Sequence, residues 1–105
     1  MPYGQQTAIT QQTTIINIAS TDGFVAMEGS TALAKRFATK LFFRGKAADR
    51  LRLSYDSTLR IDQAGDELGS GNVITEPNST GLTLYGQLKS GSGDTARVIV
   101  TEYGF

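Results

Sequence analysis

The chain has 105 residues, and its ten Lys and Arg balance ten Asp and Glu, so the formal net charge is zero. It contains no Cys and no His. Their absence excludes disulfides, thiol chemistry, Ser-His and Cys-His nucleophile pairs and most zinc sites. We therefore expect a single domain that is not an enzyme and that holds no cofactor or metal.

Residues 1–14 are rich in Thr and Gln and predict a polar N-terminal arm, followed by one β-sandwich domain over residues 15–105. Gln5-Gln6-Thr7 recurs six residues later as Gln11-Gln12-Thr13, and this even spacing places equivalent side chains on one face of an extended strand. Two interpretations remain open, a polar tail or an arm that adds a strand to a neighbouring subunit. On the second interpretation, the partner-binding residues of the arm are Gln5, Gln6, Gln11 and Gln12.

Residues 30–44 fit two interpretations. A helix would begin with Ser30 as its N-cap and place Leu33, Phe37 and Leu41 at a spacing of four. A strand over residues 36–44 is favoured by the adjacent aromatic residues and by the missing capping box. In the strand, the predicted inward residues are Phe37, Thr39, Leu41 and Phe43, and the outward ones are Arg36, Ala38, Lys40, Phe42 and Arg44.

The next segment, residues 50–56, alternates Leu51, Leu53 and Tyr55 with polar and charged side chains, as a half-buried strand does. We predict that it pairs with residues 36–44 as a hairpin. Eight of the ten basic residues lie between Lys35 and Arg60, against two acidic residues, which gives this window a charge of +6. The hairpin would gather five of these cations on one sheet face as a basic plate, which we predict to bind a partner: Arg36, Lys40, Arg44, Arg50 and Arg52.

The later segments also favour strands. Leu82, Leu84 and Leu88 alternate with polar residues, and residues 96–103 form a β-branched run typical of a central strand. With Gly-rich and Asn-rich turn signals between them, these segments predict an all-β protein, an antiparallel β-sandwich or jelly roll of about eight short strands with an extended N-terminal arm. Tyr103 and Phe105 are candidate aromatic anchors for a partner.

The general character, a small cysteine-free β chain with a Thr/Gln-rich arm, resembles that of capsid decoration proteins and other small virion structural subunits. The resemblance implies a structural subunit of a symmetric assembly, bound to copies of itself and to a larger scaffold such as a capsid. We expect it in the virion, or in the cytoplasm before assembly, because no signal peptide or apolar membrane-spanning run is present.

Two alternatives use the same features. A single-stranded nucleic-acid-binding β-barrel would use the basic plate, with Phe42, Phe43 or Tyr55 as stacking platforms; the net charge of zero and a pI of about 6.2 argue against it. A filament or pilin-like subunit would polymerise by donating the N-terminal arm as a strand.

Overall fold

The computed structural model of the protein describes residues 9–55, 67–79, 81–89 and 95–105. Within these ranges the structure is all-β, and two antiparallel sheets of four strands pack together as a sandwich, which confirms the predicted fold class. The strands are β1 (Thr10–Ala19), β2 (Val25–Ala26), β3 (Arg36–Arg44), β4 (Arg50–Ser54), β5 (Glu67–Gly69), β6 (Val73–Pro77), β7 (Tyr85–Lys89) and β8 (Thr95–Gly104).

Sheet A has the strand order β1-β8-β3-β6, and sheet B has the order β2-β7-β4-β5. The β-branched strand β8 lies in the interior of sheet A, as predicted. Residues 36–44 form a strand, so the helical alternative for this segment is wrong. The predicted hairpin between residues 36–44 and 50–56 is also wrong, because β3 belongs to sheet A and β4 to sheet B.

The core lies between the two sheets and follows the period-two pattern of the strands. Sheet A contributes Leu41, Phe43, Val98 and Val100, each with no exposed surface, and sheet B contributes a set of buried leucines led by Leu51. Each such side chain stabilises the fold by about 1.5–3 kcal/mol through burial. The sandwich is therefore held together by facing rows of aliphatic and aromatic residues.

A register shift interrupts the pairing of β3 with β8. Arg36 pairs with Gly104 and Ala38 pairs with Tyr103, so β3 carries one extra residue, Phe37, at this point. Such a β-bulge reverses the alternation on one side of it. Arg36 consequently faces inward and is 3% exposed, whereas Phe37 is 39% exposed, which is the opposite of the sequence prediction for these two residues.

The first strand begins at Thr10, so Gln11 and Gln12 belong to β1, which crosses the predicted boundary between residues 14 and 15. Gln5 and Gln6 lie outside the described residues. The described part of the chain contains no helix with the length and apolar character that a membrane crossing requires.

Candidate interaction face

The structure distributes the five predicted cations of the basic plate among three places. Arg36 is buried between the sheets. Lys40 and Arg44 project from the outer face of sheet A, and Arg50 and Arg52 from the outer face of sheet B. The prediction of one basic plate is therefore wrong, because it required β3 and β4 to be neighbours in a single sheet.

Arg36 is the centre of a buried polar network. Its Nη1 atom lies 3.1 Å from Glu102 Oε2 and 3.3 Å from Glu28 Oε1. Its Nη2 atom donates to the backbone carbonyls of Ser79 and Leu82, at 3.1 and 2.9 Å. The guanidinium thus joins β3 to β8 and to two loops, and it is used inside the protein.

Glu102, the carboxylate of this network, has no exposed surface. Its Oε1 atom accepts hydrogen bonds from Gln12 Nε2 at 3.0 Å and from the Gly29 amide at 2.9 Å, and Oε2 accepts from the Leu33 amide at 2.9 Å and from Arg36. Four donors therefore satisfy the carboxylate. The arrangement is structural, because no direction of approach is left for a ligand.

The same contacts determine how Glu102 ionises. Burial raises the pKa of the carboxyl, but the amides of Gly29 and Leu33, the Arg36 guanidinium and the Gln12 amide all stabilise the charged form. Together they outweigh the burial, so the pKa of Glu102 lies below its ordinary value. The group remains a carboxylate at neutral pH.

The outer face of sheet A carries a continuous stripe of apolar side chains. Directly opposed residues on neighbouring strands share one face of a sheet. The pairs Ile15 with Ile99, Ile99 with Phe42, and Phe42 with Val73 therefore form one row across all four strands, here called the apolar row. Ile15 and Val73, at its two ends, are 58% and 51% exposed.

Next to the apolar row lies a positively charged cleft. Asn17 and Arg44 both pair with Arg97, so these three side chains form the adjacent row across β1, β8 and β3. The Arg44 guanidinium carbon lies 5.7 Å from the centroid of the Phe42 ring and connects the two rows. An open cleft of about 450 Å³, here called the basic cleft, is lined by Asn17, Arg44, Gly45, Lys46, Thr95, Ala96 and Arg97.

Charge on this face has one sign. Lys40, Arg44 and Arg97 occupy outward positions of sheet A, and no Asp or Glu occupies an outward position in the described strands of that sheet. No carboxylate within the described ranges forms an ion pair with any of the three. The rest of the chain has seven Lys and Arg against ten Asp and Glu, a net charge of −3.

The outer face of sheet B has a different character. Arg52 Nε lies 2.9 Å from Glu67 Oε2, and Arg50 donates to the backbone carbonyls of Ala47 and Asp49, at 3.0 and 2.8 Å. These two cations are neutralised or anchored by their own chain. Sheet A therefore offers the surface better suited to a partner.

The other predicted partner-binding residues lie at one end of sheet A. Gln11 is exposed and pairs with the half-buried Tyr103, whereas Gln12 points inward and binds Glu102 and the Thr31 carbonyl. Phe105 is 56% exposed, and its ring centroid lies 4.8 Å from that of Phe37. Gln11, Tyr103 and Phe105 are accessible at this end, and Gln12 serves the internal network.

The proposed stacking platforms are separated by the fold. Phe43 has no exposed surface and belongs to the core, Phe42 is half-buried on the outer face of sheet A, and Tyr55 is 42% exposed after β4. Only Phe42 lies beside the cations of sheet A.

Sequence reasoning missed Arg97 and the apolar row. Alternation in residues 95–103 does place Arg97 and Ile99 on one face and Ala96 and Val98 on the other, which was a usable signal. The row itself depends on the register between strands distant in sequence, such as Ile15 with Ile99. No pattern within a single segment contains that register.

No group of three or more Asp or Glu side chains in the described residues is arranged to hold a metal ion. In comparisons with known proteins, no family model, no curated protein and no solved structure matched this chain. What can be inferred about its function rests on the geometry of the sandwich.

Proposed function

We propose that this chain is a non-enzymatic structural subunit of a symmetric assembly, of the kind that capsid decoration proteins form, and that the outer face of sheet A is its contact surface. The observation that carries the proposal is the apolar row, which crosses four strands and remains exposed at both ends.

An apolar stripe of this kind is typical of a surface that becomes covered. Covering Ile15, Ile99, Phe42 and Val73 with a partner would contribute less for each than the ~1.5–3 kcal/mol of a fully exposed side chain, because all four are already partly covered in the isolated chain. Polar residues flank the stripe, with Lys40 and threonines on one side and the basic cleft on the other. An apolar centre within a polar rim is the usual anatomy of a protein interface.

The charge of the face indicates the chemistry of its partner. Arg44 on β3 and Arg97 on the neighbouring strand β8 are directly opposed. Like charges in this position destabilise a sheet by roughly 0.2–1 kcal/mol. A carboxylate from a partner in the basic cleft would relieve this repulsion. The contact surface therefore fits a protein with apolar side chains and carboxylates, and the net −3 of the remaining chain makes another copy one such partner.

A structural role agrees with the chemistry of the chain. Without His or Cys, a general base near neutral pH is hard to build. The buried carboxylate Glu102 is fully used by internal hydrogen bonds. These features support binding and assembly as the function.

The experiment compares self-association of the purified protein with that of two variants by multi-angle light scattering, from micromolar to millimolar concentration, at low and high salt. The double substitution Phe42→Thr with Val73→Thr places a β-branched side chain at both positions and removes half of the apolar row, and it should abolish association through this face. Leu82→Thr is the control, because Leu82 is 45% exposed and lies between β6 and β7, outside the strands of sheet A, and it should associate normally.

Salt adds a second readout. If carboxylates occupy the basic cleft, association should weaken as salt rises. A chain that stays monomeric under all these conditions, and that does not sediment with large particles from the cells that make it, would contradict the proposal.

A second candidate function, binding of single-stranded nucleic acid, is favoured by the position of Phe42 beside Arg44, Lys40 and Arg97 on one face. Retention of an oligonucleotide in a filter-binding assay should then fall steeply with salt and be lost in Arg44→Gln with Arg97→Gln. Absence of retention at low salt removes this candidate.

A further inference from the structure

Among the described strands, the sandwich has four sheet edges, and these edges are unequal. Sheet B ends in β2, of two residues, and β5, of three. Sheet A ends on one side in β6, of five residues, which contains Glu76 and Pro77. Short strands, charges and prolines are the usual devices that prevent sheet edges from pairing with other chains.

The remaining edge, β1, has none of these devices. It is ten residues long, with the sequence TQQTTIINIA, and it contains no charged residue and no proline. Its pairing with β8 runs without a register shift from Thr10 to Ala19. A long, regular and uncharged edge of this kind is a template for another strand.

The backbone of this edge is also available. Ala19 closes a turn with Asp22, through its N–H to Asp22 Oδ2 and its carbonyl to the Asp22 amide. No other backbone group of β1 forms a hydrogen bond outside the β1–β8 ladder, as far as the described residues are concerned. The inward side chains Gln12, Thr14 and Ile16 are only half-buried, which agrees with an edge open to solvent.

We propose that β1 is a dimerisation edge, where two copies of this chain pair antiparallel through β1 and join their A sheets into one sheet of eight strands. The partner is a second copy because the edge is self-complementary. It has no charge that would face its own like across a twofold axis, and its central outward residue, Ile15, is apolar and exposed.

A twofold axis at Ile15 has a definite consequence for the side chains. Ile15 then lies opposite its own copy, and Thr13 lies opposite the partner's Asn17, so outward residues meet outward residues. The apolar row, with four side chains in one copy, continues without a break into the second copy. The inference therefore deepens the proposed function, and it rests on the part of that proposal in which the chain associates with copies of itself.

The chain offers a clean cross-linking test because it has no cysteine. Ile15→Cys introduces a single thiol at the predicted axis, where directly opposed Cβ atoms are about 4.5–5.5 Å apart and a disulfide needs only a small adjustment. Val73→Cys is the matched control, because Val73 is also an exposed apolar residue at an end of the apolar row, on the opposite edge of the sheet.

Under mild oxidation, Ile15→Cys should form a covalent dimer at least about tenfold faster than Val73→Cys, because a paired edge holds the two thiols at millimolar effective concentration. Equal rates for the two variants overturn the inference. They would also be expected if the edge were occupied by residues 1–8 of a neighbouring copy, because the two thiols would then be kept apart.

A second pair of variants covers the case in which the thiol is poorly tolerated. Ile15→Lys places like charges across the proposed axis, and Val73→Lys makes the same change at the other end of the apolar row. Light scattering should show loss of the dimer for Ile15→Lys alone.

The results of the two pairs separate the inference from the proposed function. If both lysine variants weaken association equally and Ile15→Cys does not cross-link faster, the face is the contact surface and the edge inference is wrong. If Ile15→Cys cross-links while the Phe42→Thr, Val73→Thr double variant still assembles normally, the edge inference stands and the proposed contact face is wrong.

Discussion

The two ends of β3 carry the same side chain in opposite environments. Arg36 begins the strand and is buried, with two carboxylates within 3.3 Å of its guanidinium. Arg44 ends the strand, is exposed, lies over the Phe42 ring and forms no ion pair with a described carboxylate. The same residue type thus has an internal structural role at one end of the strand and is available to a partner at the other.

A single extra residue produces this difference. The bulge at Phe37 puts Arg36 in register with Gly104, on the inward face of β8, whereas Arg44 follows the regular alternation and points outward. Whether a charged side chain on a strand is exposed to a partner therefore depends on the register of that strand with its neighbours. Four predictions test how far the two ends differ.

Truncating the arginine at the two ends of β3 should change the free energy of unfolding by very different amounts. Arg36→Ala leaves Glu102 buried without its cation, and breaking a buried ion pair in this way costs about 3–5 kcal/mol. Arg44→Ala removes an exposed cation–π contact and should cost no more than about 1 kcal/mol. Urea unfolding of the two variants and the wild type measures both values, and equal losses would contradict the proposed difference.

Low pH should destabilise the protein through Glu102, the ion-pair partner of Arg36 at the buried end of β3. The pKa of Glu102 is lower in the folded chain than its ordinary value of 4.5, so its contribution to stability is complete above about pH 4.5. That contribution disappears as the pH falls through the folded pKa. Thermal unfolding between pH 7 and pH 2 should show that Glu102→Gln flattens the acid limb of the stability profile.

A matched carboxylate provides the control for that profile. Glu67→Gln removes an exposed partner of Arg52 and should leave the acid limb close to that of the wild type. If both variants flatten the limb equally, Glu102 has no special part in acid unfolding.

Close packing at the buried end can be tested at Gly104, the register partner of Arg36. A Cβ atom there would lie 2.9 Å from the Lys35 carbonyl oxygen and 3.0 Å from that of Ala34, so the backbone must move. Gly104→Ala should cost about 1–3 kcal/mol in chemical denaturation. Gly69→Ala is the control, because its nearest neighbouring atom would be 3.8 Å away, and a loss as large as that of Gly104→Ala would contradict the packing argument.

The smallest change in stability is expected beside Arg44, at the exposed end of β3. There, removing a charge should stabilise the chain, whereas the preceding substitutions destabilise it. Arg97→Thr removes the repulsion between directly opposed arginines and should stabilise the isolated chain by about 0.2–1 kcal/mol, less at high salt. Lys40→Thr should change little, because the cross-strand partners of Lys40 are Thr75 and Thr101. Differential scanning calorimetry at two salt concentrations distinguishes these outcomes.

Strand identity could be read from the sequence because alternation is a local property. Residues 36–44, 50–54 and 95–104 are strands, and the inward residues Thr39, Leu41 and Phe43 were predicted correctly. The choice of neighbour for each strand is not local. Alternation gives β3 and β4 a buried face each, but it does not say that these faces meet across the sandwich instead of lying side by side.

The candidate site was less predictable for the same reason. Glu102 continues the inward series Ala96, Val98 and Val100, so its burial had a readable signal, although its partner Arg36 did not. The bulge that turns Arg36 inward leaves no mark in the sequence of β3. Rows such as Asn17, Arg97 and Arg44 exist only because three strands distant in sequence share a register.

The interior position of β8 also sets the order of events during synthesis. In sheet A, β1 pairs with β8, and the contact between Thr13 and Thr101 spans 88 positions. At a translation rate of about 5–20 residues per second, β1 waits on the order of 4 to 20 s for its partner. An uncharged strand rich in Thr and Ile therefore emerges well before its partner strand has been made, and we expect this interval to be the stage of synthesis at which β1 is most open to pairing with another chain.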